Sequence, residues 1–359
     1  MWRQAPLFCV GLFVAPRSRK SKGCDLTAVR EQLGANLRRT PLLPAMALLA
    51  LAGLTAALWP RLSSPKAPEG AAAFLRVTDD TGRAIAVPQP VRRIVSLAPN
   101  LTETLFAVGL GNRVVGVTDF CDYPPEAATR AHVGGPVTPN LEKIAQLRPD
   151  LVLATRSGGN RLATVQSLET LGLAVFATDP HTVDEVISST ERIAEIAGAS
   201  EQGRLVTESL RRRLVTLAAK FSGSQPVPVL LVVWPDPLVT VGRNTFIADA
   251  LRRAGAENVI QTTQDWPNAS LEKVAALHPR YLLFASDHSE ESNRQIAVLS
   301  GRAGWRNLEA VRKGRIIVLS ESIARPAPRL IDEIEHLARL LHPERLSLQV
   351  SGAATEGAR

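Results

Sequence analysis

The chain has 359 residues, 45% hydrophobic and 21% charged, with a net charge of +8. That length and balance suit two ordinary domains with cores of their own and exclude a disordered or fibrous chain. Residues 1–73 hold ten Lys/Arg against three acids, so the body is close to neutral and the basicity implies no nucleic-acid partner.

Residues 42–59 (LLPAMALLALAGLTAALW) carry no charge, and eight Lys/Arg precede them, Arg38 and Arg39 directly. A basic region before an apolar run predicts a signal peptide or signal-anchor, with everything after residue 59 outside the cytoplasm, in the periplasm or its equivalent. Ala71-Ala72-Ala73 lies far beyond the apolar run, so the expectation leans to an uncleaved membrane anchor. Met46 is an alternative start that would make 1–45 an extension. Cys9 and Cys24 fall in this leader, leaving Cys121 alone in the body, so neither an internal disulfide nor a cysteine zinc site is expected. Residues 60–73 (PRLSSPKAPEGAAA) read as a linker.

Strands and helices then alternate. Residues 93–97 (RIVSL) form a short apolar strand and 100–108 a helix, with Asn100 as N-cap and Glu103 at capping-box spacing. Strand 114–117, helix 141–147 stopped by Pro149, strand 151–154, helix 161–171 and strand 173–177 follow. This βαβα pattern predicts a parallel sheet with helices on both faces. From 182 to 221 there is no proline, and Val186, Ile193, Ile196, Leu205, Leu210, Leu214 and Leu217 recur at helical spacing. That span predicts one long helix, or two in line, with Gly198 and Gly203 as places to bend or break. After 222–228 the alternation resumes: strand 229–233, helices 245–254 and 271–277, strands 281–285 and 316–319, and a closing helix 328–341. The domains are therefore a leader with its apolar segment (1–59), a linker (60–73), an N-terminal lobe (74–181), a connecting long helix (182–221), a C-terminal lobe (222–342) and a polar tail (343–359). The fold class is α/β: two Rossmann-like lobes joined by one long backbone helix, with a ligand cleft between them.

One segment occurs twice. LEKIAQLRPDLVLA begins at Leu141, and LEKVAALHPRYLLFA begins 130 residues later at Leu271. Each copy is helix, proline stop and buried strand at the corresponding place of its lobe, which predicts pseudo-twofold symmetry across the cleft.

The chain has no G-x-x-x-x-G-K-[ST], no G-x-S-x-G and no H-E-x-x-H, and its six histidines are scattered. No acid, base or nucleophile is held by partners in the sequence pattern, so binding is expected rather than catalysis, with no metal site and no cofactor. The strand-end loops are where an α/β fold takes its ligand. Aromatic content is only 4%, yet Phe120, Tyr123, Trp234 and Trp266 all fall in those loops. Such faces suit a large, flat, partly apolar ligand; they also suit plain loop packing, above all for Tyr123 beside Pro124-Pro125.

RIVSLAPNLTETLFAVGLGNRVVGVTDFCDYPPEA, VGGPVTPNLEKIAQLRPDLVLA and DWPNASLEKVAALHP together resemble the substrate-binding proteins of ABC importers for cobalamin, ferric siderophores and haem, most closely the cobalamin branch. The similarity runs from about residue 77 to 341. It implies two lobes bridged by a rigid helix, little closure on binding, capture of a metal-chelate, and delivery to a permease dimer with its ATPase. It also implies that Glu142 and Glu272, one per lobe, pair with permease arginines. Each glutamate equally suits the first turn of its own helix. Phe120, Trp234 and Trp266 match ligand-contacting aromatics, and Arg325 or Arg329 lies near a polar contact of the last loop. Two aromatics of the family are missing, at Gly134-Gly135-Pro136 and at Thr155, and Cys121 is an addition. A ferric siderophore or haem is the alternative ligand, with Arg156, Arg243, Arg325 and Arg329 available for an anion. An anchored α/β enzyme or sensor is the alternative from another class.

Overall fold

The computed structural model describes residues 73–346, apart from 157–158, 222 and 287–289. The expected anchor at 42–59, the linker up to residue 72 and the tail beyond 346 lie outside the described residues. Among the described residues no helix is long and apolar enough to cross a membrane.

The first element is a hairpin that the sequence reading did not single out. Strands β1 (Ala73–Thr78) and β2 (Ala84–Gln89) pair antiparallel. Asp79 shapes the turn: its carboxylate accepts from the Thr81 N–H at 3.0 Å, the Thr81 hydroxyl at 2.7 Å and the Arg83 N–H at 3.0 Å. Such local acceptance replaces ladder bonds in an Asx-type turn.

The N-terminal lobe is built on β3 (Ile94–Ser96), helix α1 (Pro99–Ala107), β4 (Val114–Val117), β5 (Ala131–His132), helix α2 (Leu141–Gln146), β6 (Leu151–Thr155), helix α3 (Leu162–Thr170) and β7 (Val175–Thr178). Its five strands are parallel in the order β5-β4-β3-β6-β7. Successive strand residues point to opposite faces. Ile94, Leu151, Leu153 and Phe176 therefore pack with Leu101 and Leu105 of α1, whereas Val95, Val152, Ala154 and Val175 face Ile144 of α2 and Val165 and Leu168 of α3.

The connector corrects an expectation. Residues 182–221 form two helices, α4 (Val183–Ile196) and α5 (Ser200–Lys220), broken around Gly198 at φ 70°. The two do not run in line: α5 folds back along α4. Gly203 meets Ala194, and Arg211 of α5 reaches back to Glu191 of α4 at 2.8 Å. The long helix is thus the 21-residue α5 alone. Val183, Val186 and Ile187 of α4 belong to the core of the C-terminal lobe, while Ile193, Ala194 and Ile196 belong to that of the N-terminal lobe. The N-terminus of α4 is also tied to the second lobe, since the Val183 N–H donates to Asp249 at 2.9 Å and Arg253 holds Asp184 at 2.8 Å.

The C-terminal lobe contains β8 (Val227–Val232), β9 (Trp234–Pro235), β10 (Leu238–Val239), helix α6 (Phe246–Arg253), β11 (Ala256–Asn258), helix α7 (Leu271–Ala276), β12 (Tyr281–Ser286), helices α8 (Glu290–Ser300) and α9 (Glu309–Arg312), β13 (Ile316–Ser320) and helix α10 (Leu330–Leu341). Four strands run parallel in the order β11-β8-β12-β13. Residues 343–346, expected as polar tail, form a short helix α11 (Pro343–Leu346), and Leu346 packs on the lobe core.

The 130-residue repeat is structural. Ile144 and Val274 are the one buried residue in α2 and α7 respectively, each 0% exposed. Each anchors its helix on the corresponding sheet face and contributes about 1.5–3 kcal/mol by burial. Arg148 and His278 both sit at positive φ, 45° and 47°, directly before Pro149 and Pro279. A left-handed residue followed by proline ends each helix at the same place.

The closest approach of α4 and α5 gives a test. A Cβ on Gly203 would lie 2.4 Å from the Ala194 Cβ, so the two backbones come together only because the residue is glycine. Gly203→Leu is expected to cost about 1–3 kcal/mol or more through overpacking, read as a lower urea midpoint. An unchanged midpoint would mean that the hairpin spacing is soft.

Candidate functional site

The loops at the C-terminal ends of the two sheets meet where Arg325 and Arg329, after β13, reach Glu103 and Asp122 of the N-terminal lobe, and such strand ends are where an open α/β sheet takes its ligand. In the N-terminal lobe, the loops after β3 and β4 are joined by a buried polar network. The Thr102 hydroxyl donates to Ser96 at 2.8 Å and lies 3.1 Å from the Cys121 sulfur, and Thr118 meets the same sulfur at 3.1 Å. Cys121 is 2% exposed, and burial pushes its thiol above the ordinary range despite these hydroxyls. It is a packing residue of this network. Asn160 locks the next loops: its Nδ2 donates to the Leu97 and Pro136 carbonyls at 3.0 and 2.7 Å, and its Oδ1 accepts from the Thr155 N–H at 2.8 Å.

In the C-terminal lobe Asn258 has the matching task. Its Oδ1 accepts from the Leu231 N–H at 3.1 Å and its Nδ2 donates to the Val241 carbonyl at 2.8 Å. Nearby, Gly242 passes so close to the Gln264 carbonyl that a Cβ would lie 1.8 Å from it; only glycine fits. The bridge Val239↔Asn268 then knits the β9–β10 ribbon to the loop carrying Trp266. Neither asparagine has a local sequence signature, because its partners lie in other loops.

The four aromatics divide by lobe. Phe120 and Tyr123 are 38% and 44% exposed, and Gly135 lies close to the Phe120 ring. Trp234 is half-buried, its indole N–H donating to the Asp236 carbonyl at 2.9 Å. Trp266 is half-buried against the core of its lobe. The structure therefore leaves these rings more open on the N-terminal lobe than on the C-terminal lobe.

The two arginines of the last loop are engaged within the protein. Arg325 and Arg329, read as ligand contacts, reach across to the N-terminal lobe. Arg329 donates through Nε and Nη2 to the two oxygens of Glu103 at 3.1 and 2.9 Å, a bidentate pair. Arg325 donates through Nη1 to Glu103 at 3.0 Å and to Asp122 at 2.8 Å. The Glu103 side chain is 2% exposed. The Arg329 guanidinium also stacks on Tyr123, 3.8 Å from the ring centre, a cation–π contact. Glu103 is thus an inter-lobe anchor and not a cap. Helix α1 begins at Pro99 with Ala98 at the N-cap position and no side-chain cap, which moves Glu103 out of capping register.

Charge follows geometry. Burial works to raise the Asp122 carboxyl, but the Arg325 hydrogen bond and charge outweigh it and hold the group below 3.8. Burial likewise opposes the charge on Arg325, and Asp122 and Glu103 more than restore it. Asp179, at the end of β7, is pushed above its ordinary value by burial, aided by Asp80 and by Asp265 of the other lobe, against the pull of Arg156 at 3.2 Å.

Glu142 and Glu272 are exposed, in the first turns of α2 and α7. Asn140 and Ser270 cap these helices by accepting from the Lys143 and Lys273 N–H groups at 2.9 and 3.2 Å. The Glu272 carboxyl is held below its ordinary value by its own N–H and by the Ser270 hydroxyl. Because each helix runs back to the start of the strand that follows it, its first turn lies toward the C-terminal end of its sheet.

Two measurements probe the clasp. Arg325→Ala/Arg329→Ala strands a buried carboxylate and is expected to cost about 3–5 kcal/mol, with Glu103→Gln in that background recovering most of the loss in urea unfolding. Asp122 is depressed in the folded state, so its contribution is present above 3.8 and is lost as pH falls through its lower folded value. The stability gap between wild type and Asp122→Asn should be constant near neutrality and shrink only below about pH 3.8.

A family model for the periplasmic binding proteins matches residues 94–323. The vitamin B12-binding protein of Vibrio cholerae is 29% identical over 276 residues, which is 76% of this chain and 95% of that protein. The crystal structure of the periplasmic vitamin B12-binding protein of the same species aligns with a TM-score of 0.62 at 27% identity, covering 72% of this chain and 99% of that one. A periplasmic haem-binding protein from Pseudomonas aeruginosa aligns with a TM-score of 0.63 at 27% identity, covering 70% and 93%. The matched span takes in the sheets of both lobes and the helical connector, and the chain belongs to the periplasmic binding protein family.

Proposed function

We propose that this chain is the solute-binding protein of an ABC importer, that it captures a corrinoid of the cobalamin type between its lobes, and that it passes the ligand to a permease dimer with its ATPase. The observation that carries the ligand choice is the state of the cleft arginines. Arg325 and Arg329 already hold Glu103, and Arg156 holds Asp179 at 3.2 Å. A polyanionic siderophore or a dicarboxylate porphyrin must break those pairs to use these three of the four arginines, leaving exposed Arg243 alone for it, whereas an amide-rimmed corrinoid need not. Phe120 and Tyr123 offer apolar faces, and Trp234 and Trp266 border the opposite side. The reading gives the chain no covalent chemistry and no cofactor of its own.

Glu142 and Glu272 are the docking residues in this reading. One exposed carboxylate per lobe matches a twofold partner that presents arginines at two equivalent places, and exposed charge pairs of this kind set register and association rate. Residues 42–59 supply export and, left uncleaved, hold the protein at the outer surface of the cytoplasmic membrane.

Titration of the full chain with cyanocobalamin should quench its tryptophan fluorescence saturably, with haemin and a ferric catecholate much weaker. A response to either of the latter alone would keep the class and replace the ligand. Glu142→Ala/Glu272→Ala should leave corrinoid affinity intact and weaken the permease complex by at least about tenfold; unchanged permease affinity would remove the docking role.

A further inference from the structure

We infer that Glu103 is a specificity residue that acts as an internal substitute for a ligand carboxylate. The inference rests on the inter-lobe cleft being the ligand site, and it deepens that reading by naming what the site rejects. Glu103 accepts three N–H groups from Arg325 and Arg329, and the Arg329 pair uses both oxygens in the fork geometry by which arginine grips any carboxylate. The Glu103 side chain comes from the N-terminal lobe and is 2% exposed, while the two arginines come from the last loop of the C-terminal lobe. Asp122 and Glu321 occupy further N–H groups of Arg325 at 2.8 and 3.3 Å. The two last-loop cations that a carboxylate-bearing chelate would meet, Arg325 and Arg329, are therefore already engaged by the protein itself.

The consequence is a penalty on one class of ligand. A chelate carrying carboxylates must displace Glu103 and leave a desolvated acid unpaired, or bind without contacts to Arg325 and Arg329. A chelate whose rim is neutral meets no such cost. Selection here works by occupation of the attractive groups rather than by their absence. Arg329 remains stacked on Tyr123 at 3.8 Å, so loss of Glu103 would leave that guanidinium positioned to receive another carboxylate.

The test compares haemin with haemin dimethyl ester, which differ only in their carboxylates, with cyanocobalamin titrated in parallel. The full chain and its Glu103→Gln variant are used, and Asp122→Asn serves as a second variant that spares the buried group. Glu103→Gln should raise haemin affinity at least about tenfold and leave the dimethyl ester and cyanocobalamin within about twofold. Asp122→Asn should raise haemin affinity by a smaller factor. Haemin affinity unchanged in both variants, or rising equally with that of the ester, overturns the inference, as does tight haemin binding by the wild type. If Glu103→Gln fails to fold, the Asp122→Asn result alone decides. Absence of binding of any of the three chelates by the wild type sinks the assignment of the cleft and this inference with it. Corrinoid binding without a selective haemin effect sinks the role of Glu103 alone.

Discussion

Helix α4 is buried in two cores at once, and the geometry of the molecule depends on that constraint. Its first turns fill the C-terminal lobe through Val183, Val186 and Ile187, and its last turns fill the N-terminal lobe through Ile193, Ala194 and Ile196. A hinge at this helix would expose one set or the other, at about 1.5–3 kcal/mol for each side chain. Helix α5 returns alongside it and is fastened at its far end by Arg213, which holds Asp332 at 2.6 Å and Glu335 at 2.9 Å. The two sheets are thereby held as fixed jaws, and the loops at their C-terminal ends are left to vary.

On that rigid base the Glu103 clasp sets the electrostatics of the cleft. A carboxylate with 2% exposure and two guanidinium partners is stable only because both charges are matched. The same matching removes the most obvious anion receptors from the ligand's reach. On the proposed reading, that matching suits a bulky chelate with a neutral rim.

Much of the fold was legible because it is periodic. The alternation of apolar strands with amphipathic helices, and the 130-residue echo of helix, proline and strand, follow directly from burial of Ile144 and Val274 and of the strands behind them. What was not legible is short or distant. Strands β5, β9 and β10 have two residues each, too few to show a period. Gly198 marked the break in the connector, but the fold-back depends on Gly203 meeting Ala194, a tertiary contact. Glu103 looked like a capping residue because Asn100 stood three places before it; Pro99 instead starts the helix, being suited to its first position. Its true partners lie 222 and 226 residues away, beyond any local pattern. Phe120, Tyr123 and Trp266 lie in loops as read from the sequence, whereas Trp234 opens the two-residue strand β9, and the fraction of each ring left open is decided by packing.

Capture between the lobes is the central claim, and hydrogen–deuterium exchange of the full chain with and without cyanocobalamin tests it most directly. Added protection is expected in both lobes together, around 118–125 in the first and 234–237 and 265–268 in the second, with little change in α4 and α5. Protection confined to one lobe, or spread through the connector, would contradict it.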